Sequence, residues 1–199
     1  MDTASSFHIG DKNMIREVPL EKAHRILALS SVTFVSSATA TDKNIMPAGW
    51  VGTVDTDILS LVMDSENYTR KVMEESGYFV LQIPRASQAD LIVDLAKSRH
   101  VHEEKVDQLS FFDPSGKGYP LLEDCLAWVV CEIIPEQRNQ DIYDLFLGRI
   151  VAAWADDSVF HDGRWHLDQV EPENRPVHYV AGGQFYQTGS GFQLRDPFK

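Results

Sequence analysis

With 199 residues, 43% hydrophobic and 24% charged, the chain has enough apolar side chain for a packed core. It reads as one domain over residues 1–199, with an N-terminal arm at 1–18 and a C-terminal tail at 187–199. A formal net charge of −12 argues against a nucleic-acid partner, which needs clustered Lys and Arg. No apolar run approaches the roughly 20 residues that span a bilayer, and Met-Asp-Thr-Ala-Ser-Ser opens no secretory leader, so a cytoplasmic protein without a membrane association is expected.

After the polar arm, Pro19–Leu29 places Leu20, Ala23, Ile26 and Leu27 at helical spacing, with Pro19 at the first turn. Ser30–Ala40 is rich in β-branched and small polar residues and reads as the first strand. A turn at Thr41-Asp42-Lys43-Asn44 leads to a second strand, Asn44–Val54, and Asp55-Thr56-Asp57 to a third, Ile58–Met63. The second strand is unusual. Pro47 cannot donate to a ladder, which places it on an edge or at a bulge, and Gly49 and Gly52 allow a close approach to the backbone. Two readings stand for it: a bulged edge strand without a ligand, or a platform of bare amides beside Trp50 for the polar edge of a planar heterocycle.

Ser65–Thr69 ends a strand and starts a helix through Ser76, with Tyr68, Val72 and Met73 on one face and Gly77 as its stop. Ser65 and Asn67 fit an ordinary N-cap, the preferred reading of this segment by itself; with Thr69 they also fit an anion site at which helix N–H groups, hydroxyls, Arg70 and Lys71 converge. Tyr78–Ile83 is a strand closed by Pro84, and Ser87–Lys97 a helix carrying Leu91, Ile92 and Leu95. Lys97-Ser98-Arg99-His100 is a compact basic patch. It suits its helix's C-terminal dipole or the same anion. His100 and His102 have no third ligand nearby, and no metal is expected.

Glu103–Leu109 reads as a short helix, Asp113–Pro120 as a loop, Leu121–Ile134 as a strand holding Trp128, and Asp141–Trp154 as a long strand interrupted at Gly148. Asp162-Gly163 marks a turn, and His178–Phe192 a glycine-rich tail with Phe185 and Tyr186. Cys125 and Cys131 share one extended run. Six residues of strand span about 20 Å, while a disulfide needs Cα atoms within about 7 Å, so two buried thiols are expected. Six or seven strands, mostly neighbours in sequence, indicate an antiparallel barrel rather than a parallel α/β sheet. Gly116-Lys117-Gly118 lacks P-loop spacing, Gly189-Ser190-Gly191 opens no helix, and no nucleophile elbow occurs. No catalytic side chain is nominated.

In order and spacing, Asn44-Ile45-Met46-Pro47-Ala48-Gly49-Trp50, the Ser65…Tyr68-Thr69 helix start, Gly77–Pro84 and Pro120–Trp128 resemble the flavin reductase-like family, the flavoredoxin branch most closely. Phe146–Val151 and Gly182-Gly183-Gln184-Phe185-Tyr186 extend the resemblance, which runs from about Pro19 to Tyr186. It implies a mainly β split barrel, an antiparallel Greek key that binds FMN, with peripheral helices. The backbone of Met46, Pro47, Ala48, Gly49, Trp50 and Val51 would meet the flavin ring. Ser65, Asn67, Tyr68 and Thr69, helped by Lys97, Ser98 and Arg99, would hold the phosphate. Asn67 stands where relatives often carry a basic residue, and Lys97-Ser98-Arg99 replaces a more glycine-rich loop. The implied activity is hydride transfer from NAD(P)H, a transient co-substrate, to flavin. The alternative is a flavoredoxin-like electron carrier serving a redox partner protein. A homodimer is implied as well, and an edge strand that needs covering argues the same way.

Overall fold

A computed structural model describes residues 14–29, 32–99, 101–192 and 194. Most of the N-terminal arm, Ser30, Ser31, His100 and the last residues of the tail lie outside the described residues. A short strand β1 (Ile15–Glu17) precedes α1 (Leu20–Ala23), which tightens into a 3-10 turn over His24–Leu29. The tightening suits the sequence: Ala23 and Ile26, three apart, eclipse one another in that winding, and both are wholly buried. Then follow β2 (Thr33–Ala38), β3 (Lys43–Ala48), β4 (Val51–Asp55), β5 (Ile58–Val62), α2 (Tyr68–Ser76), β6 (Tyr78–Ile83) and α3 (Ala89–Leu95). Gly77 closes α2 at φ +79°, the left-handed conformation that a helix stop of this kind requires.

The second half differs more from expectation. Leu121–Ile134 is two strands. Asp124, at φ 66°, turns the chain between them. The first, β8 (Leu121–Leu122), pairs with β7 (Phe111–Phe112), and the second is β9 (Ala127–Ile134). Asp141–Trp154 is a helix followed by a strand: α4 (Gln137–Tyr143) ends at Asp144, φ 53°, and β10 (Leu145–Asp156) runs through Gly148 without a break. Only Gln140 of α4 is buried, so the helix offers no apolar stripe for sequence reading to detect. Two hairpins complete the chain. Asp162-Gly163 joins β11 (Phe160–His161) to β12 (Arg164–Trp165), both turn residues having positive φ. The tail folds as β13 (Val177–Ala181) and β14 (Gln184–Gln187) around Gly182-Gly183.

The main sheet has the order β3-β2-β6-β9-β10-β5-β4, with β1 added against β10, and every pairing in it is antiparallel. The expected second strand is thus two strands. β3 and β4 stand at opposite ends of the hydrogen-bonded order, yet only Gly49 and Trp50 separate them. Three Cα–Cα steps cover at most about 11 Å, so the sheet must curl until its edges nearly touch at this corner. Pro47 lies on an edge strand, as its missing N–H requires.

Both faces of the sheet are covered. Along β9, Ala127, Val129 and Cys131 enter the core inside the curl, while Trp128 and Val130 enter a second core outside it. The outer core is sealed by α3, β8 and the β13–β14 hairpin. Gln82 ties the sheet to this layer: its Nε2 donates to Ser36 Oγ (2.8 Å), and its Oε1 accepts from the Leu122 N–H (2.6 Å). Trp128 Nε1 donates to the Leu122 carbonyl at 3.0 Å. Cys125 and Cys131 are both free and buried, and burial pushes both thiols up, away from the reactive range.

Candidate functional site

The residues singled out in the sequence gather along β3. The pleat of this strand sorts their side chains. Ala48 is buried in the inner core and can offer a ligand only its backbone, while Met46, half-buried, packs against the same core. Ile45 belongs to the outer core, and Pro47 lines a pocket against α3 on that side. Gly49 and Trp50 form the corner, and Trp50 is 76% exposed. Its carbonyl accepts from the Val62 N–H at 2.9 Å, which fixes the corner's backbone to β5 while the indole stands free of the core.

At the other end of β3 lies the start of α2. Five residues of strand separate Asn44 from Gly49, about 17 Å. Asn44 Nδ2 donates to Thr69 Oγ1 at 2.7 Å, and both residues are buried. The Thr69 hydroxyl therefore binds helix to strand, and within the described residues it does not face solvent. Asn67 occupies the N-cap position, yet its side chain does not cap α2; its carbonyl accepts from the Arg70 N–H at 3.0 Å. An ordinary side-chain cap would have satisfied one of the leading N–H groups. Ser65 is exposed, and Asn67 and Tyr68 are half-buried. The Tyr68 hydroxyl donates to Asp42 Oδ2 at 2.5 Å, a link with no signal in the local sequence because the partners lie on different elements.

The basic residues divide. Arg70 is withdrawn from the site: Nε pairs with Glu74 (2.9 Å), Nη1 with Asp144 (2.5 Å), and Nη2 donates to the Gln140 carbonyl (3.1 Å). It pins α2 to α4 and adds no free charge for an anion. Arg99 is different. Its guanidinium lies over the Tyr68 ring, 5.7 Å from the centroid, and its Nη1 is buried without a hydrogen-bond partner among the described residues. Lys71 Nζ lies 5.9 Å from the same ring. The structure thus brings Arg99 to the uncapped end of α2. Lys97 and Ser98 are exposed on the same loop, where Lys97 pairs with Asp94 at 2.6 Å.

A residue absent from the sequence reading holds this loop. Lys105 Nζ donates to the carbonyls of Leu95 (2.9 Å) and Lys97 (2.7 Å), closing the C-terminal end of α3. Burial first, and then the charge of Arg99, lower its pKa to about 8. Nothing in the local sequence separates Lys105 from a solvated lysine, because both acceptors are main-chain atoms. Among the described residues, no group of three or more His, Cys, Asp or Glu side chains could hold a metal.

Among the described residues, a guanidinium N–H without a partner and a helix start not capped by Asn67 form an electropositive end, and the backbone of the Pro47–Val51 corner lies at the far end of the same strand. A family described as the flavin reductase like domain matches residues 28–182. The chain belongs to the flavin reductase-like family. An FMN-binding domain of a flavin reductases-like enzyme from Shewanella baltica OS155 is 36% identical, with 91% of this chain and 97% of that one covered and a TM-score of 0.87. Flavoredoxin from Methanosarcina acetivorans is 17% identical over 83% of this chain and 88% of its own, TM-score 0.69, a likeness of fold. Among curated proteins, YddH, an uncharacterized protein of Escherichia coli strain K12, is 29% identical over 88% of this chain and 97% of its length. The mainly β split-barrel architecture is common to this family's solved members and to this chain. No described helix is long and apolar enough to cross a membrane.

Proposed function

We propose that the chain is an FMN-dependent oxidoreductase of the flavin reductase type. The observation that carries the reading is the contrast between the two ends of β3. At one end Arg99 Nη1, buried and unpartnered among the described residues, and a start of α2 that the Asn67 side chain leaves uncapped ask for an anion. At the other, the Pro47–Val51 corner offers backbone beside the exposed Trp50 indole. A dianionic phosphate on a planar heterocycle meets both requirements, and the Shewanella baltica relative is described as an FMN-binding domain.

In this reading Arg99 and Ser65 hold the phosphate, together with the leading N–H groups of α2. Asn44 and Thr69 act behind them, fixing the helix start to β3, while Tyr68 and Asp42 support the Arg99 guanidinium from below. Bound FMN supplies hydride acceptance, so the protein needs no catalytic triad of its own. NAD(P)H is the proposed donor.

A charge-assisted hydrogen bond contributes about 1.5–3 kcal/mol, so Arg99→Gln should weaken FMN roughly ten- to hundredfold in a fluorescence titration. Riboflavin, which lacks the phosphate, should bind parent and variant alike. Unchanged FMN affinity would refute the phosphate assignment. Anaerobic addition of NADH or NADPH to the FMN-loaded chain should bleach the flavin absorbance. A chain that takes up FMN and is bleached by neither nucleotide is an electron carrier instead of a reductase.

A further inference from the structure

Between the 3-10 turn over His24–Leu29, the β11–β12 hairpin and the tail beyond β14 lies a groove of about 800 Å³. It shares no residue with β3, with the corner or with the loop that carries Arg99. Arg25 and Arg164 line it, both exposed, and neither is in an ion pair among the described residues. The Arg25 side chain makes one long hydrogen bond, from Nη1 to the Gly163 carbonyl at 3.5 Å. Asp168 is the one carboxylate among the lining residues, and its Oδ1 stands 3.8 Å from the place of a Cβ on Gly191, turned to the tail. Trp165 forms an aromatic wall, held by Nε1 donating to the Arg25 carbonyl at 3.3 Å and by the edge of Phe160. Phe192 stands at the mouth, 89% exposed. The tail is anchored where it enters: the Thr188 N–H and hydroxyl both donate to the Pro176 carbonyl, at 3.1 and 2.9 Å.

We infer that this groove holds the adenosine end of the nicotinamide nucleotide, and that Arg25 and Arg164 select the donor carrying a phosphate on that ribose, NADPH over NADH. The inference rests on the proposed function, since its ligand is the flavin's hydride donor. Charge sets the ligand class. A chain of net charge −12 repels an anion over most of its surface, and two unpaired guanidiniums against one carboxylate mark a place where an anion can settle. The planar fork of arginine matches a phosphate, and the two donors differ by a single phosphate monoester on the adenosine ribose. Shape agrees. The volume falls in the range of small-molecule sites, and a flat base between Trp165 and Phe192 would cover the exposed ring. Placement agrees as well. The His24–Leu29 turn packs on β4, the strand that leaves the corner. Ala28 lines the groove five residues before Thr33, whose hydroxyl donates to the Ala48 carbonyl at 3.2 Å beside the corner. Five residues of chain span at most about 18 Å, a distance that two nucleosides joined by a pyrophosphate can bridge.

The probe is adenosine 2′,5′-bisphosphate, titrated by calorimetry into the FMN-free and the FMN-loaded chain. It should bind both forms roughly tenfold or more tightly than adenosine 5′-monophosphate, the effect of one charge-assisted hydrogen bond. Arg25→Gln with Arg164→Gln should abolish that preference. Both side chains are exposed, so the circular dichroism spectrum should stay that of the parent. In anaerobic bleaching of the FMN-loaded chain, the double variant should raise the half-saturating NADPH concentration by the same factor. It should leave the value for NADH and the affinity for FMN nearly unchanged, and Arg25→Lys with Arg164→Lys should restore part of the preference for NADPH. Equal binding of the two adenosine phosphates by the parent overturns the inference, as does a double variant that binds like the parent. So does a bisphosphate that binds without competing against NADPH, which would make the groove the seat of a free nucleotide. So does its displacement by inorganic phosphate at equal concentration, which would leave only a general anion patch. If neither nucleotide bleaches the flavin, the proposed function fails. The preference for the 2′-phosphate and its loss in the double variant, both read without FMN, would still decide the groove.

Discussion

Gly148 shows how one residue reads differently in sequence and in structure. In the sequence it marks an interruption of a strand. In the fold β10 continues through it, and the space for a side chain is filled by Phe79 of β6 and Cys131 of β9. A Cβ there would come within 2.5 Å of Phe79 Cζ and 2.7 Å of Cys131 Cβ, inside the buried core. Its φ lies outside the left-handed region, so the requirement is steric alone. Gly148→Ala should cost about 1–3 kcal/mol as an overpacked core, a fall in Tm of roughly 2–12 °C for a chain of this size. Gly189→Ala, with nothing within 4 Å of its Cβ, is the matched control and should leave Tm unchanged in thermal denaturation. The same scale adds to Thr69. The sequence places a hydroxyl at a helix start, where a phosphate would meet it. Only tertiary packing shows that this oxygen also accepts from Asn44, 25 residues earlier, which leaves the hydroxyl proton to donate.

At the scale of elements, Lys105 and the loop it holds carry a pH dependence. A lysine lowered to about 8 by burial and by Arg99 is one whose charge the folded state resists. Between about pH 8 and the ordinary value of 10.5, the unfolded chain binds this proton more than the folded chain does. This group's contribution to stability therefore rises with pH across that window. Anion binding should move the other way. Below pH 8 the ammonium donates charged hydrogen bonds to the Leu95 and Lys97 carbonyls and adds positive potential beside Arg99. Above it, that charge is lost. A phosphate monoester has its second pKa near 6, so its own charge is constant there. FMN affinity should fall as pH rises through about 8, and Lys105→Met should flatten the profile while lowering the plateau. A parent profile flat from pH 7 to 9.5 in fluorescence titration would contradict this role. Elements whose sequence carries both stop signals and period were legible: β6 matches Tyr78–Ile83, bounded by Gly77 and Pro84. The helix α4, polar on nearly all sides, was not, and the Gly182-Gly183 hairpin passed for a tail because β13 and β14 are short and half-exposed.

For the whole molecule, the antiparallel barrel was legible because most strands pair near neighbours in sequence and alternate between two cores. Its split was not. It depends on where the chain crosses the sheet, and a two-residue link between opposite edges looks like one continuous strand. Among the described residues, that crossing leaves β3 and β4 each with a single hydrogen-bonded neighbour in the sheet. The β4 edge is the more open: Thr53, Val54 and Asp55 are exposed, Val54 at 57%, with Trp50 beside it at 76%. A bare strand edge with large apolar side chains is a template for another chain unless it is covered. We propose that a second copy covers it, in a twofold homodimer whose interface includes β4. Sedimentation at micromolar concentration should then give twice the 22.5 kDa mass of one chain. Val54→Asp places a carboxylate beside its own symmetry mate or against apolar surface, and either is unfavourable. It should shift the parent toward monomer, while the circular dichroism spectrum stays that of a folded β protein. A parent that sediments as a monomer removes the dimer. A parent dimer indifferent to Val54→Asp moves the interface away from β4, and leaves some other feature to protect this edge.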